Sequence, residues 1–265
     1  MKIGNKTFDK GTHIMAIVNL TPDSFYESSR ATTDDVLKRV EKAILDGAEV
    51  IDVGGQSTRP THVAVSAQEE WQRLERPVEL IKRNFDIPLS VDTYYHYVAQ
   101  KALEMGADLI NDVWGLQYQD DNTMAEIIAK RGASVCIMQN QNKISDDRDL
   151  WKDMFAFLDK SVELAKTAGI DEDQILIDGG IGFGKSKEQN WQVLNNYERL
   201  GKYDYPLLLG TSRKSMFGGD VNDRLQHTLE STRLAVRKNV LFVRVHDVKE
   251  NFQAIEDELS LLGRL

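Results

Sequence analysis

Eight short aliphatic runs alternate along the chain with longer amphipathic segments, and this alternation predicts an α/β fold of the (β/α)8 or TIM barrel class. The length of 265 residues agrees with this class, because such barrels take roughly 250 residues. Hydrophobic residues make up 41% of the chain, which is enough for one core, so residues 1–265 are expected to form a single domain. An open, doubly wound sheet is the competing fold, since alternation alone does not show whether the first and last strands meet.

The predicted strands are rich in Val, Ile and Leu. They cover residues 14–18, 49–53, 87–91, 107–111, 134–138, 174–178, 206–210 and 240–245. The first helical segment has one apolar stripe, formed by Val36, Leu37, Val40, Ala43 and Ile44. Asp34 or Asp35 is expected to cap this helix at its N-terminus, and Gly47 is expected to end it.

The formal net charge of −9 argues against nucleic acid and anionic membranes as partners, because like charges repel. Any anionic ligand must then be bound by local cations. The single cysteine, Cys136, lies in an apolar run and is expected to be a buried strand residue, so no disulfide forms within the chain. No stretch of about 18 apolar residues occurs, and we expect a cytoplasmic protein.

Polar residues stand at the carboxyl ends of most predicted strands, which is where (β/α)8 barrels build their active sites. These residues are Asn19, Asp92, Asn111, Asp178, the segment 212–215, Arg244 and His246. One or two of them could be ordinary turn residues. So many converging ends predict a binding site at the mouth of the barrel.

Three basic segments predict that this site binds a diphosphate. Alternation along the eighth run places Arg244 and His246 on the face toward the mouth, where a guanidinium and an imidazole can clamp an anion. Residues 210–215 follow the seventh run, and a helix is expected to begin there with backbone N–H groups that favour anions. Residues 54–60 add hydroxyls and one arginine. A salt-bridged rim and a solvated helix cap are the alternative interpretations.

Asp92 and Asp178 predict a ligand with ring N–H and amino donors, because an ionised carboxylate only accepts hydrogen bonds. A pterin is such a ligand. Asp92 could instead cap the helix that follows it. Asp52 lies inside a strand and is expected to be an interior group with its hydrogen bonds satisfied. The sequence has no Cys or His spacing typical of a metal site.

Seven blocks resemble, in the same order, the motifs of the dihydropteroate synthase family. The first block, residues 15–25, reads MAIVNLTPDSF. The later blocks are 52–60 (DVGGQSTRP), 90–93 (SVDT), 110–112 (IND), 181–185 (IGFGK), 212–214 (SRK) and 244–248 (RVHDV). The resemblance runs from about residue 14 to 250, which is nearly the whole chain.

This resemblance implies a folate-pathway transferase that joins 6-hydroxymethyl-7,8-dihydropterin diphosphate to p-aminobenzoate and releases pyrophosphate. It implies that the pterin contacts Asp92, Asn111, Asp178, Lys214 and Met138. It implies that the diphosphate contacts Asn19, Thr58, Arg59, Arg244 and His246. It also implies a Mg²⁺ ion at Asn19 and a p-aminobenzoate pocket formed by Phe25, Phe183 and Ser215.

The same resemblance implies how the reaction is catalysed. Asp92, Asp178, Lys214, Arg244 and His246 would stabilise charge, and no nucleophile is required. Members of the family are usually homodimers, and sulfonamides inhibit them by mimicking p-aminobenzoate.

Several positions depart from the family pattern. Residues 26–29 read YESS where members usually have Ser-Asp-Gly-Gly, which predicts a stiffer first loop. Residues 178–180 read DGG instead of Asp-Pro-Gly, and Gln139 stands where His is common. A pterin-binding paralogue without catalysis is therefore one alternative function. A methyltetrahydrofolate methyltransferase, which binds no diphosphate, and a Schiff-base aldolase using Lys214 are the others.

Overall fold

A computed structural model of the chain describes residues 1–20, 29–56, 64–119, 122–141, 143–144 and 148–264, with residues 29–34 as backbone alone. The strands are β1 (Lys2–Ile3), β2 (Lys6–Thr7), β3 (His13–Asn19), β4 (Val50–Gly54), β5 (Leu89–Asp92), β6 (Leu109–Asp112), β7 (Ser134–Met138), β8 (Ile175–Asp178), β9 (Leu207–Leu209) and β10 (Phe242–Val245). The helices are α1 (Ser29–Leu45), α2 (Ala67–Asn84), α3 (His96–Glu104), α4 (Thr123–Arg131), α5 (Leu150–Ala168), α6 (Lys187–Asn195), α7 (Arg224–Arg237) and α8 (Val248–Leu261). Short 3-10 helices span Glu172–Gln174, Tyr197–Tyr203 and Ser215–Phe217. Within these ranges, no helix combines the length and the apolar character that a membrane crossing requires.

Strands β3 to β10 form a closed barrel of parallel strands. Each strand pairs with the next one in sequence, and β10 pairs with β3, so that Val243 lies opposite Ile14 and Arg244 opposite Met15. This closure confirms the (β/α)8 prediction and excludes the open sheet. All eight predicted runs contain strands of the barrel. That residues 1–265 form a single domain stays a prediction.

The side chains of the barrel strands divide the core into two layers, because successive residues of a strand point to opposite faces. Residues such as Ile14, Ile51 and Val243 point outward and pack with the helices. The inner layer consists of Met15, Val50, Leu109, Cys136, Leu176, Leu208 and Phe242, packed with Ile3 and Phe8 near the N-terminus. Cys136 is buried, as predicted. The same alternation places Asp52, Ser90, Asp92, Asn111, Asp178 and Arg244 on the inner face.

The antiparallel pair of β1 and β2 was not predicted, because two strands of two residues leave no periodic signal. The pair contributes Ile3, which is fully buried, to the inner layer of the barrel. Ser134 at the start of β7 donates a hydrogen bond to the carbonyl of Lys2. The N-terminal residues are therefore attached to the end of the barrel opposite the strand ends that form the site.

Helix α1 begins earlier than predicted. It starts at Ser29, so Asp34 and Asp35 lie inside it, and the prediction that one of them is its cap is wrong. Asp35 instead forms an ion pair with Arg39 one turn later, at 2.7 Å. The apolar stripe is confirmed, since Val36, Val40 and Ala43 are buried and Leu37 and Ile44 are partly buried. Gly47 adopts a φ of 108° just after the helix, as its role in ending the helix requires.

Candidate active site

An ionic network joins β4, β5 and β10 on the inner face of the barrel. Arg244 donates from Nε to Asp52 Oδ2 at 2.7 Å and from Nη2 to Asp92 Oδ2 at 2.6 Å. Ser90 donates to the other oxygen of Asp52, which is fully buried. Asp52 is thus a satisfied interior group, as predicted. Arg244 faces the mouth, as predicted, but two of its nitrogens are already bonded to carboxylates.

Asp92 combines burial with an unused hydrogen-bonding atom. Burial raises its pKa to about 7, although the positive charge of Arg244 acts in the opposite direction. Its Oδ1 is buried and has no partner among the described residues. Buried acceptors in proteins are almost always paired, so this oxygen is available to an N–H donor of a ligand. Asn111, which is buried, lies beside Asp92 on the neighbouring strand.

Asp178 ends β8 and is held mainly by backbone. Its Oδ1 accepts a hydrogen bond from the N–H of Gly180 at 2.8 Å. Burial raises the pKa of Asp178, and the positive charge of Lys214 lowers it. Burial also lowers the pKa of Lys214 to about 8, while Asp178 acts in the opposite direction. Lys214 interacts electrostatically with Asp92 as well, so its positive charge acts on both carboxylates.

Two lysines brace the loop that follows β8. Lys214 donates to the carbonyl of Ile181, and its Nζ lies 4.8 Å from the centroid of the Phe183 ring. Lys185 donates to the carbonyl of Gly180 at 2.9 Å and to the side chain of Gln139. Burial lowers the pKa of Lys185 to about 7, against the effect of the nearby negative charge of Asp178. Phe183 is therefore contacted by both lysines, by Lys185 at its carbonyl and by Lys214 at its ring.

Aromatic and aliphatic side chains line the mouth beside this loop. Met138 packs in one cluster with Tyr94 and Val113, and Phe183 packs against it. The structure therefore brings together Met138, predicted to pack on the pterin ring, and Phe183, predicted to contact p-aminobenzoate. A flat ligand at Met138 would lie next to a second aromatic ligand at Phe183.

The rim of the mouth between β3 and β10 holds Asn19 and His246, which are both exposed. Asn19 Nδ2 lies 3.5 Å from His246 Nε2, and Ser212 Oγ lies 2.9 Å from His246 Nδ1. Ser212 Oγ also accepts a hydrogen bond from the N–H of His246 at 3.1 Å. Asn19 and His246, both predicted to meet the diphosphate, are thus neighbours at the open end of the site.

The segment after β9 differs from its prediction. The expected helix start is a three-residue 3-10 helix, Ser215–Phe217, and the next α-helix begins only at Arg224. Arg213 does not face an open anion site, because its guanidinium is bonded to both oxygens of Asp247, at 2.8 and 2.6 Å. Ser215 is exposed. The segment supplies Ser212 and Lys214 to the site instead of a helix N-terminus.

Three predicted site residues, Phe25, Thr58 and Arg59, lie outside the described residues, as do residues 26–28 of the unusual first loop. Their contacts stay predictions. Lys185 and Tyr197, by contrast, contact the site and were not predicted to belong to it. Lys185 ends the quoted block IGFGK and could have been found there, whereas nothing in the sequence around Tyr197 distinguishes it from a core residue.

Comparison with known proteins agrees with the geometry. A family model described as "Pterin binding enzyme" matches residues 15–246. The dihydropteroate synthase of Clostridium beijerinckii is 45% identical over 262 residues, which is 96% of this chain and 96% of that protein. The chain belongs to the dihydropteroate synthase family.

Solved structures of family members have the same fold. The dihydropteroate synthase of Clostridium difficile, crystallised in the presence of pteroic acid, is 41% identical with a TM-score of 0.91, and the match covers 96% of this chain and 99% of that one. The Yersinia pestis dihydropteroate synthase, crystallised with a sulfonamide drug, is 33% identical with a TM-score of 0.89, and 99% of each chain is covered. The membership thus holds for both sequence and fold over almost the entire chain.

Proposed function

We propose that this chain is a dihydropteroate synthase, a transferase that condenses 6-hydroxymethyl-7,8-dihydropterin diphosphate with p-aminobenzoate to give 7,8-dihydropteroate and pyrophosphate. The observation that carries the proposal is the pair of buried carboxylates, Asp92 and Asp178, at the mouth of the barrel, on both of which the positive charge of Lys214 acts. A pterin offers the N–H groups that such carboxylates accept. The 45% identity to the Clostridium beijerinckii synthase supports the same reaction.

The proposed mechanism is a dissociative substitution at the exocyclic methylene of the pterin. The bond to the diphosphate oxygen breaks first, and pyrophosphate leaves with the bonding electron pair. The amine of p-aminobenzoate then attacks the cationic methylene and loses a proton. Asp92 and Asp178 would stabilise the cationic pterin by their negative charge, which is already oriented before the substrate binds.

The leaving group would be stabilised at the open rim by Arg244 and His246, together with Thr58 and Arg59 from the second loop. Arg244 Nη1 makes no hydrogen bond to the part of the chain that the structure describes, so it remains available for a phosphate oxygen. Its Nε and Nη2 stay on Asp52 and Asp92. Arg244 would therefore connect Asp92, the carboxylate proposed to bind the pterin, to the departing pyrophosphate.

A Mg²⁺ ion is proposed at Asn19. The described residues contain no group of three or more His, Cys, Asp or Glu side chains that could hold a metal by themselves. An exposed amide oxygen at the rim, combined with phosphate oxygens and water, fits a cation that prefers oxygen ligands and keeps few protein ligands. When bound, the ion would neutralise charge on the diphosphate, and Asn19 would hold it beside His246.

A homodimer and inhibition by sulfonamides are further proposals that rest on the family resemblance. A cytoplasmic location, expected because the sequence has no long apolar stretch, also stays a proposal. The sulfonamide proposal also agrees with the sulfonamide complex of the Yersinia pestis synthase. Light scattering of the purified protein tests the dimer. Competition between a sulfonamide and p-aminobenzoate tests the second pocket.

The deciding experiment follows pyrophosphate release from the pterin diphosphate in the presence of Mg²⁺, with and without p-aminobenzoate, while dihydropteroate is detected by mass. We expect release to be coupled to dihydropteroate formation and to be abolished in Asp178→Asn. Arg76→Ala, which alters an exposed ion pair on α2, is the control and should be fully active. Binding of the pterin diphosphate without product at any p-aminobenzoate concentration would favour the non-catalytic paralogue instead.

A further inference from the structure

We infer that Tyr197, which lies outside every block that resembles the family motifs, is a positioning residue that orients the carboxylate of Asp178 toward the pterin. The inference rests on the proposed function, because it takes Asp178 to be a pterin ligand. It concerns a residue that would not itself touch the substrate.

The hydroxyl of Tyr197 joins three parts of the site. Tyr197 begins the 3-10 helix Tyr197–Tyr203, and only 1% of its surface is exposed. Its oxygen accepts a hydrogen bond from the N–H of Gly179 at 2.9 Å and lies 3.3 Å from Asp178 Oδ1. Its single O–H hydrogen is shared between Asp178 Oδ1 and the carbonyl of Leu208 on β9, in a bifurcated hydrogen bond. One phenol oxygen therefore ties the end of β8 to the loop after it and to the neighbouring strand.

This contact decides which oxygen of Asp178 is left for a ligand. Oδ1 accepts from the N–H of Gly180 and lies within hydrogen-bond distance of the Tyr197 hydroxyl. Oδ2 has no hydrogen bond to any residue in the described ranges, and it points toward Gly210, where an added Cβ would lie 3.5 Å from it. Gly210 follows β9 at the mouth of the barrel. With Oδ1 held, Oδ2 is presented to the site.

Gly179 and Tyr197 also fit each other sterically. A Cβ at position 179 would lie 2.9 Å from Cε2 of the Tyr197 ring and 3.0 Å from a methyl carbon of Leu200. A residue with a side chain at this position would push the ring away, and a proline there would have no N–H to donate. The glycine supplies both the space for the ring and the donor for its hydroxyl.

The charges around Asp178 determine what loss of the hydroxyl should do. The groups that face Asp178 are Cys136 on β7, Lys185 after β8, Tyr197, Lys214 after β9 and Arg244 on β10. Burial raises the pKa of Asp178, and the hydrogen bond from Tyr197 is among the interactions that lower it. Without the hydroxyl, this pKa should rise further. The pterin needs the ionised carboxylate, so binding is lost as the pH falls and Asp178 becomes protonated. The acid limit, the pH below which the pterin no longer binds, should therefore move to a higher pH.

The test is a calorimetric titration of the whole protein with 6-hydroxymethylpterin over the acid and neutral pH range. We expect Tyr197→Phe to bind the pterin about tenfold more weakly than the unsubstituted protein, because it loses one hydrogen bond to a charged group. We also expect its acid limit of binding to lie at a higher pH. The matched control is Tyr203→Phe. That residue lies on the same 3-10 helix, and its hydroxyl also contacts a carboxylate and a carbonyl, those of Asp159 and Phe155. The control should leave both affinity and pH profile unchanged.

The outcomes separate this inference from the proposed function. If the unsubstituted protein binds no pterin, the proposed function is wrong and the inference is wrong with it. If it binds pterin, and Tyr197→Phe has the same affinity and the same acid limit, the inference alone is overturned. A general loss of affinity at every pH with an unmoved acid limit would indicate a structural role and would also overturn it. Should Tyr197→Phe fail to fold, Gly179→Ala replaces it, since the added methyl displaces the same hydroxyl, and the same shift is expected.

Discussion

Asp92 is held by charged side chains, whereas Asp178, on the other side of the same mouth, is held by a backbone N–H and a phenol. Asp92 shares the guanidinium of Arg244 with Asp52. Asp178 accepts a hydrogen bond from the N–H of Gly180, a residue with a positive φ of 62°. A buried ionic arrangement with one cation is most sensitive to the removal of that cation, because both carboxylates are then left uncompensated. A backbone arrangement is sensitive to conformation and space. Asp92 and Asp178 have the same proposed role, but different kinds of substitution should disturb them: loss of a charge for Asp92, and a change of backbone conformation or space for Asp178.

Arg244→Ala should have the largest effect, because it leaves Asp52 and Asp92 buried without their counter-charge. We expect a loss of roughly 3–5 kcal/mol in the free energy of unfolding, measured by denaturant titration. Arg76→Ala, which removes an exposed ion pair, should cost less than about 1 kcal/mol. Adding Asp52→Asn and Asp92→Asn to Arg244→Ala should recover part of the loss. Absence of any recovery would mean that lost packing, and not uncompensated charge, causes the destabilisation.

Gly180→Ala should have the next largest effect, on the side of Asp178. Gly180 has a φ of 62°, and a Cβ there would lie 1.8 Å from the carbonyl oxygen of Gln139. The left-handed conformation alone costs an alanine about 1–2 kcal/mol, and relief of the overlap must move the loop that holds Asp178. The melting temperature and the affinity for the pterin should both fall. Gly201→Ala is the control, because a Cβ at that position meets no atom within 4 Å. Equal behaviour of the two variants would contradict the view that the Asp178 side is limited by backbone conformation and space.

Asp52→Asn should have the smallest effect, because asparagine retains the shape and one acceptor oxygen. The negative charge of Asp52 raises the pKa of Asp92, which is about 7 in the folded protein. Removal of that charge should lower this pKa, so pterin binding should persist to a lower pH. This shift is opposite in direction to the one expected for Tyr197→Phe. The same calorimetric titration measures it, with Asp108→Asn, which breaks an ion pair with Lys82 away from the site, as the control. A shift to higher pH in Asp52→Asn would refute the ionic description of Asp92.

Sequence alone placed the predicted site residues correctly on one face of the barrel but did not reveal their hydrogen-bond partners. Alternation with a period of two puts Asp92, Asn111 and Asp178 on the inner face, whatever the rest of the fold does. It cannot show that Arg244, 152 residues after Asp92, bonds to it, since only closure of the barrel brings β10 near β5. Nor can it distinguish the hydroxyl of Tyr197 from a core aromatic group.

Local signals failed where the three-dimensional context was stronger. Asp34 and Asp35 are typical N-cap residues, yet α1 continues through them because its buried stripe and its ion pair stabilise a longer helix. The helix expected after Ser212 stops after one 3-10 turn at Phe217, where Gly218 and Gly219 both have positive φ. The backbone there serves to aim Lys214 at the loop after β8.

Because β10 must pair with β3, the site can form only late in the synthesis of the protein, after β10 has been made. Asn19 and His246 are neighbours although 227 residues separate them in the chain, and Asp52 meets Arg244 across 192 residues. A ribosome-bound chain that has released the first seven barrel strands still lacks the guanidinium that compensates Asp52 and Asp92. Such an intermediate should keep these carboxylates protonated or in contact with water, and it should be unable to bind the pterin. Substrate could therefore stabilise only the finished barrel, and the last strand to leave the ribosome would be the one that makes the pocket competent.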